Sequence, residues 1–228
     1  MATIYDKASL VMIPSGVKED KLYSIKPTDG SGDLTFSRSN DTATRVGSDG
    51  LIEKVRTNLL TYSQDFSNAA WEIGSNTTKT TGQADPNGGT TAVLITANGI
   101  NNAYIFQTTS GDGCYSIYAK AGTRSNFTII DFGFGDGAYF DLSAVTATAY
   151  GSGSLAKIES VGAGWFRCSY ADTTGSYMLI SLSDISGTGT TIGDTMSFAF
   201  AQVETGDIAT DYIATTTAAV SVGPVANL

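Results

Sequence analysis

The sequence has no histidine, only two cysteines and four prolines, and charged side chains make up just 15% of its 228 residues. Without histidine there can be no Ser-His-Asp or Cys-His nucleophile and no imidazole-ligated metal. The cysteines, Cys114 and Cys168, each fall inside an expected strand. They are either buried thiols or a disulfide, and neither state implies catalysis. There is no phosphate-binding loop, Cys-x-x-Cys pair or serine nucleophile elbow. No apolar run approaches the ~20 residues that cross a bilayer, and the N-terminus lacks a basic stretch followed by an apolar one and a cleavage site. Membrane insertion and export are therefore not expected.

What is abundant points to β-structure. There are 26 glycines, serine and threonine are frequent, and hydrophobic residues make up 41% of the chain. This composition suits strands and tight turns better than long amphipathic helices. From about residue 76, apolar and polar residues alternate with period two, and turn signals recur every ~8–12 residues. Tyr104, Phe106 and Thr108 alternate with Ala103, Ile105 and Gln107, and Tyr115, Ile117 and Ala119 alternate with Ser116, Tyr118 and Lys120. Further strands are expected at Phe127 to Phe132, Ala138 to Leu142, around Ile158, at Trp165 to Tyr170, at Tyr177 to Leu182 and at Met196 to Val203. In the last of these Met196, Phe198 and Phe200 share one face. With weaker candidates at Thr77–Thr81 and Thr91–Ile95, about ten strands result. The expected fold is all-β, an antiparallel two-sheet jelly-roll sandwich with an extended N-terminal arm.

The net charge of −9 is unevenly placed. Residues 1–58 carry eight basic and eight acidic side chains, whereas the remainder carries five basic and fourteen acidic ones. A main domain this acidic is a poor partner for nucleic acid. The N-terminal part has one apolar run, Leu10 to Ile13, then turn signals at Asp29 to Asp33 and Ser48 to Gly50 around a short strand at Leu34 to Ser37. So few strands build no core of their own. The expected division is an attachment region over 1–55, a sandwich over 56–217 and a tail over 218–228.

Several segments together carry a resemblance. They are Arg-Thr-Asn-Leu-Leu-Thr-Tyr-Ser-Gln-Asp-Phe-Ser-Asn-Ala-Ala-Trp (56–71), Cys-Tyr-Ser-Ile-Tyr-Ala-Lys-Ala-Gly (114–122), Gly-Ala-Tyr-Phe-Asp-Leu (137–142), Ala-Lys-Ile-Glu-Ser-Val-Gly-Ala-Gly-Trp-Phe-Arg-Cys-Ser (156–169) and Ala-Gln-Val-Glu-Thr-Gly-Asp-Ile-Ala-Thr-Asp-Tyr-Ile-Ala-Thr-Thr-Thr (201–217). In this order and spacing they resemble the carbohydrate-binding-module-like jelly roll of tailed-bacteriophage fibre and other virion proteins. Ile-Pro-Ser-Gly (13–16), Asp-Gly-Ser-Gly-Asp-Leu-Thr-Phe-Ser-Arg (29–38) and Ala-Thr-Arg-Val-Gly-Ser-Asp-Gly-Leu-Ile-Glu (43–53) look like the leader of such tail proteins. The connector after Glu53 is shorter than is common there, and Ala214 stands where relatives often have proline.

The resemblance implies a head-decorating, head-fibre or tail-fibre subunit located in the virion after assembly in the host cytoplasm. Its N-terminal region would contact other capsid or tail proteins, sister subunits would form a homotrimer, and the sandwich would adhere to cell-surface polysaccharide. The alternatives are a dedicated carbohydrate-binding adhesion module and a polysaccharide-degrading enzyme. Without histidine, glycoside hydrolysis on two carboxylates is the enzymatic chemistry left open. The glutamates of the main domain, Glu72, Glu159 and Glu204, do not suggest a catalytic pair, so no catalytic residue, cofactor or metal is expected.

Candidate glycan contacts are Trp71, Asp131, Phe134, Asp136 and Tyr139. Trp71 either stacks on a sugar ring or packs its own segment against the sandwich. Trp165, within a strand after Gly164, reads as core. The loop from Asp131 to Tyr139 joins carboxylates and aromatic rings to glycines that permit close approach, although a hairpin with Phe132 and Phe134 in the core has the same composition. The spacing of a calcium-binding loop is missing.

Overall fold

A computed structural model describes residues 4–18, 21–35, 44–46, 52–109, 113–130, 135–173, 175–183 and 189–222. The chain divides into two compact units, one formed by its first 56 residues with the stretch from Ser221 onward, the other spanning Thr57–Val220.

In the first unit a short helix, α1 (Ile4–Lys7), precedes β1 (Val11–Lys18), β2 (Lys21–Lys26) and β3 (Leu34–Thr35). These strands form a three-stranded sheet in the order β1-β2-β3. Asp33 fixes the turn before β3 by accepting hydrogen bonds from the Ser24 amide at 2.8 Å and the Ser24 hydroxyl at 3.1 Å. β4 (Thr44–Val46) pairs with β5 (Ile52–Lys54). The first unit therefore holds short regular sheets where an extended N-terminal arm is expected from the sequence. Phe36 and Ser37 of the expected third strand, and the turn at Ser48 to Gly50, lie outside the described residues.

The second unit is an antiparallel sandwich of jelly-roll-like architecture. After β6 (Arg56–Asn58) come β7 (Glu72–Ile73), β8 (Thr77–Gln83), β9 (Ala92–Ala97), β10 (Tyr104–Thr108), β11 (Gly113–Ala121) and β12 (Asn126–Ile130). They are followed by β13 (Gly137–Asp141), β14 (Thr146–Tyr150), β15 (Ser154–Gly162), β16 (Trp165–Asp172), β17 (Tyr177–Ser181) and β18 (Thr195–Glu204). One sheet has the order β14-β13-β12-β17-β10-β7 and the other β15-β16-β11-β18-β9-β8. Ten of these strands coincide with the expected ones; β7 and β14 are additional. No bulky apolar alternation announces the second of these, since β14 reads Thr-Ala-Thr-Ala-Tyr.

Alternation fills the space between the sheets. Ile105, Phe127, Ile129, Phe140 and Ile180 point inward from the first sheet, and Ile95, Tyr115, Ile117, Tyr170 and Phe198 from the second; all are buried. The Phe127 ring stacks on Phe140 at 5.2 Å and meets Phe198 edge-on at 5.1 Å. Such pairs add about 0.5–1.5 kcal/mol beyond area burial. Cys114 and Cys168 sit on neighbouring strands, where Cys114 is opposite Ala171 and Cys168 opposite Ile117. Their side chains therefore leave opposite faces of the sheet, and both are free thiols. Burial pushes the Cys114 thiol up to about 12, helped by the Glu204 carboxylate, and burial alone raises Cys168. Both stay protonated and inert near neutral pH.

β18 departs from simple alternation. Its register against β11 shifts between Ser116 and Tyr118, and Phe200 has a left-handed backbone with φ 54°. The inserted residue turns Phe200 to the outer face, and Ala201 takes its place in the main core. The expected apolar face of Met196, Phe198 and Phe200 is thus corrected at its last member. Outside the sheet, Phe200 stacks on Tyr212 at 4.9 Å, meets Tyr118 edge-on at 5.3 Å, and joins Trp165 in a second cluster. Trp165 is buried, though in this outer cluster and not between the sheets.

Candidate carbohydrate-binding face

The segments that bracket the sandwich in sequence are bonded to each other in space. Asn58 is fully buried, and its amide nitrogen donates to the Ala201 carbonyl at 3.1 Å and the Ile213 carbonyl at 2.8 Å. Its amide oxygen accepts the Leu60 and Val203 backbone N–H groups, each at 3.2 Å. Ser63 and Thr215 exchange side-chain and backbone hydrogen bonds, and the Ser63 and Tyr212 hydroxyls lie 2.6 Å apart. Gln202 accepts the Ile213 N–H at 2.6 Å, while Thr210 bonds to the Glu204 carboxylate and its carbonyl accepts from Arg167. The trailing segment from Thr210 to Thr215 is thereby tied to the outer side of the β15-to-β8 sheet, where it supplies Tyr212 to the Phe200 and Trp165 cluster.

The outer face of the other sheet is different. Along β10 the inward residues are Ile105 and Gln107, so Tyr104, Phe106 and Thr108 point outward. Register places Phe106 opposite Leu179 and Thr108 opposite Tyr177, which brings Tyr177 diagonally beside Phe106. Ring centroids are 6.0 Å apart for Tyr104 and Phe106 and 6.1 Å for Phe106 and Tyr177. All three rings are half-buried. Glu72, exposed on β7, lies opposite Phe106. Towards the middle of the sheet, Thr128, Ile130, Leu179 and Ser181 on the same face are buried.

Tyr139 belongs to this face, on β13 opposite Thr128 and Thr148. It is half-buried, and its hydroxyl accepts a 2.6 Å hydrogen bond from the Asn126 amide. Asp136, just before β13, accepts the Ser152 N–H at 2.6 Å and so secures the turn after β14. Asp131 and Phe134 lie outside the described residues, as does Phe132.

Trp71 is elsewhere, only 1% exposed. Its ring packs on Phe66 at 4.8 Å, its indole N–H donates to the Tyr62 carbonyl at 2.9 Å, and its own carbonyl accepts from the Lys79 ammonium at 2.8 Å. Burial lowers the pKa of that lysine, partly offset by Asp65. An indole enclosed in this way offers no face to a sugar ring, so its role as a stacking platform is corrected to a packing one.

Tyr104, Phe106 and Tyr177 are not among the sequence candidates. The period-two pattern sorts β10 into Tyr104, Phe106 and Thr108 on one face and Ile105 and Gln107 on the other, and the burial of Ile105 and Gln107 identifies the ring-bearing face as the outer one.

The three glutamates stand on separate strands. Glu72 is on β7, Glu159 on β15 beside Lys157 at 2.6 Å, and Glu204 at the end of β18, buried under Thr210. Among the described residues, no group of three or more acidic or cysteine side chains is arranged to hold a metal ion, and no helix is long and apolar enough to cross a membrane. No protein-family model matches the chain, and no curated protein matches it either.

Proposed function

We propose that the chain is a bacteriophage virion structural protein, a head-decorating or fibre subunit held to the particle by its N-terminal unit, whose sandwich adheres to host or environmental glycans. The observation that carries the adhesive part is the row of Tyr104, Phe106 and Tyr177 on an outer sheet face. Partly exposed aromatic rings bury the apolar faces of sugars, and neighbouring polar groups orient their hydroxyls. Here Glu72 and Thr108 supply such groups. The excess of negative charge in this unit favours neutral or cationic polysaccharide over polyanions. The virion assignment is supported by the ordered sequence segments and by the division into a charge-balanced first unit and an acidic second one. The function proposed is binding and not hydrolysis.

Titration with fragmented polysaccharide from the outer surface of bacterial cells tests the adhesive role. Phe106→Ala and Tyr177→Ala are expected to weaken binding about tenfold each, with unchanged circular dichroism. Retention of full affinity in the double variant, or no binding to any cell-surface glycan by the unaltered chain, would refute it.

A further inference from the structure

We propose that β15 is a self-pairing edge, through which two copies of the chain join antiparallel about a two-fold axis at Ile158. β15 is nine residues long and ends its sheet, with β16 as its one neighbour in that sheet. Lys157 to Ser160 run in unbroken register with β16, between bulges at either end. Such an edge presents backbone donors and acceptors to a further strand.

Its side chains are complementary to their own reversal. Turned end for end about Ile158, the strand brings Lys157 opposite the second copy's Glu159 within the stretch of regular register. Within one chain, Lys157 and Glu159 already touch at 2.6 Å with their side chains 62% and 54% exposed. Two copies would therefore close a ring of four alternating charges. Leu155 and Val161, 61% and 43% exposed, lie in the flanking bulges, outside this regular stretch. On the strand's other face Ala156 and Ile158 are half-buried against the main core, which pairing would extend. An isologous interface requires this kind of self-complementarity.

The other sheet edges lack it. β14 has no charged residue, β7 offers Glu72 alone, and Lys79 of β8 is engaged by the Trp71 carbonyl. Charges on an edge strand also serve to prevent pairing, and in that case the chain would not associate through β15. A two-fold contact cannot be the repeated interface of a three-fold ring, so the inference is separate from the expected homotrimer and does not depend on glycan binding.

Sedimentation of the full chain decides it. The expected result is a reversible species of twice the 23.7 kDa chain mass. Glu159→Lys and Lys157→Glu should each weaken association about tenfold or more, because like charges then face across the axis. The double exchange K157E/E159K should restore it, since opposite charges face again. Thermal unfolding at a dilution where the unaltered chain is monomeric, expected to be unchanged in the single variants, separates lost association from lost fold. A chain that stays monomeric, an oligomer indifferent to both single exchanges, or a double exchange that fails to restore pairing would overturn the inference.

Discussion

Asn58→Ala is expected to lower the unfolding free energy of the sandwich by about 3–5 kcal/mol, a large part of the ~5–15 kcal/mol typical of a domain. The side chain is fully buried and makes four hydrogen bonds, two donated and two accepted. Alanine leaves the Ala201 and Ile213 carbonyls and the Leu60 and Val203 N–H groups without that partner. Each buried group so stranded costs about 1–3 kcal/mol, reduced where water or a small backbone shift recovers a contact. The effect is also topological, because Asn58 joins the leading segment to both β18 and the trailing segment. Urea unfolding followed by tryptophan fluorescence and circular dichroism measures it. A loss below about 1 kcal/mol would mean that these bonds contribute little to holding the segments in place.

Trp71→Ala is expected to cost about 3–5 kcal/mol through the cavity left beside Phe66 and the loss of the hydrogen bond to Tyr62. Below the unfolding transition, its glycan affinity per folded molecule should equal that of the unaltered chain. Phe106→Ala should do the reverse, weakening the complex while costing the partly exposed fold much less. Parallel thermal melts and binding titrations of the two variants measure this contrast. Lost affinity in folded Trp71→Ala protein would return the indole to the binding surface.

Much of the sandwich is legible in the sequence because a half-buried strand writes its orientation into every second residue. The inward sets Tyr115, Ile117, Ala119 and Met196, Phe198 follow this rule directly. The rule fails at Phe200, where one inserted residue reverses the face, and nothing local in Ser-Phe-Ala-Phe-Ala-Gln specifies that insertion. Its cause is tertiary: Ala201 gives its N–H to the Ser63 carbonyl, and its own carbonyl accepts from Asn58, both distant in sequence. β14 escapes a sequence reading because its Thr-Ala-Thr-Ala stretch turns only the small Ala147 toward the core and carries no bulky apolar residue to mark an inward face.

The candidate site is only partly legible for a related reason. The polar neighbours Gly74 to Thr77 draw Trp71 toward a ligand role, yet the burial of an indole depends on what Tyr62, Phe66 and Lys79 place around it. Tyr139 reaches the outer face as its alternation with Ala138 and Phe140 implies. Tyr104, Phe106 and Tyr177 require pairing between β10 and β17, strands far apart in the sandwich sequence, before they form a row.

The central assignment is tested most directly by electron microscopy of intact phage particles labelled with antibody to the 57–220 unit. The account predicts regular labelling of the particle surface when the full chain is present, and its loss when residues 1–50 are removed while the sandwich still folds. Particles that carry no label with the full chain would contradict the virion role, and normal incorporation of the truncated chain would contradict attachment through the N-terminal unit.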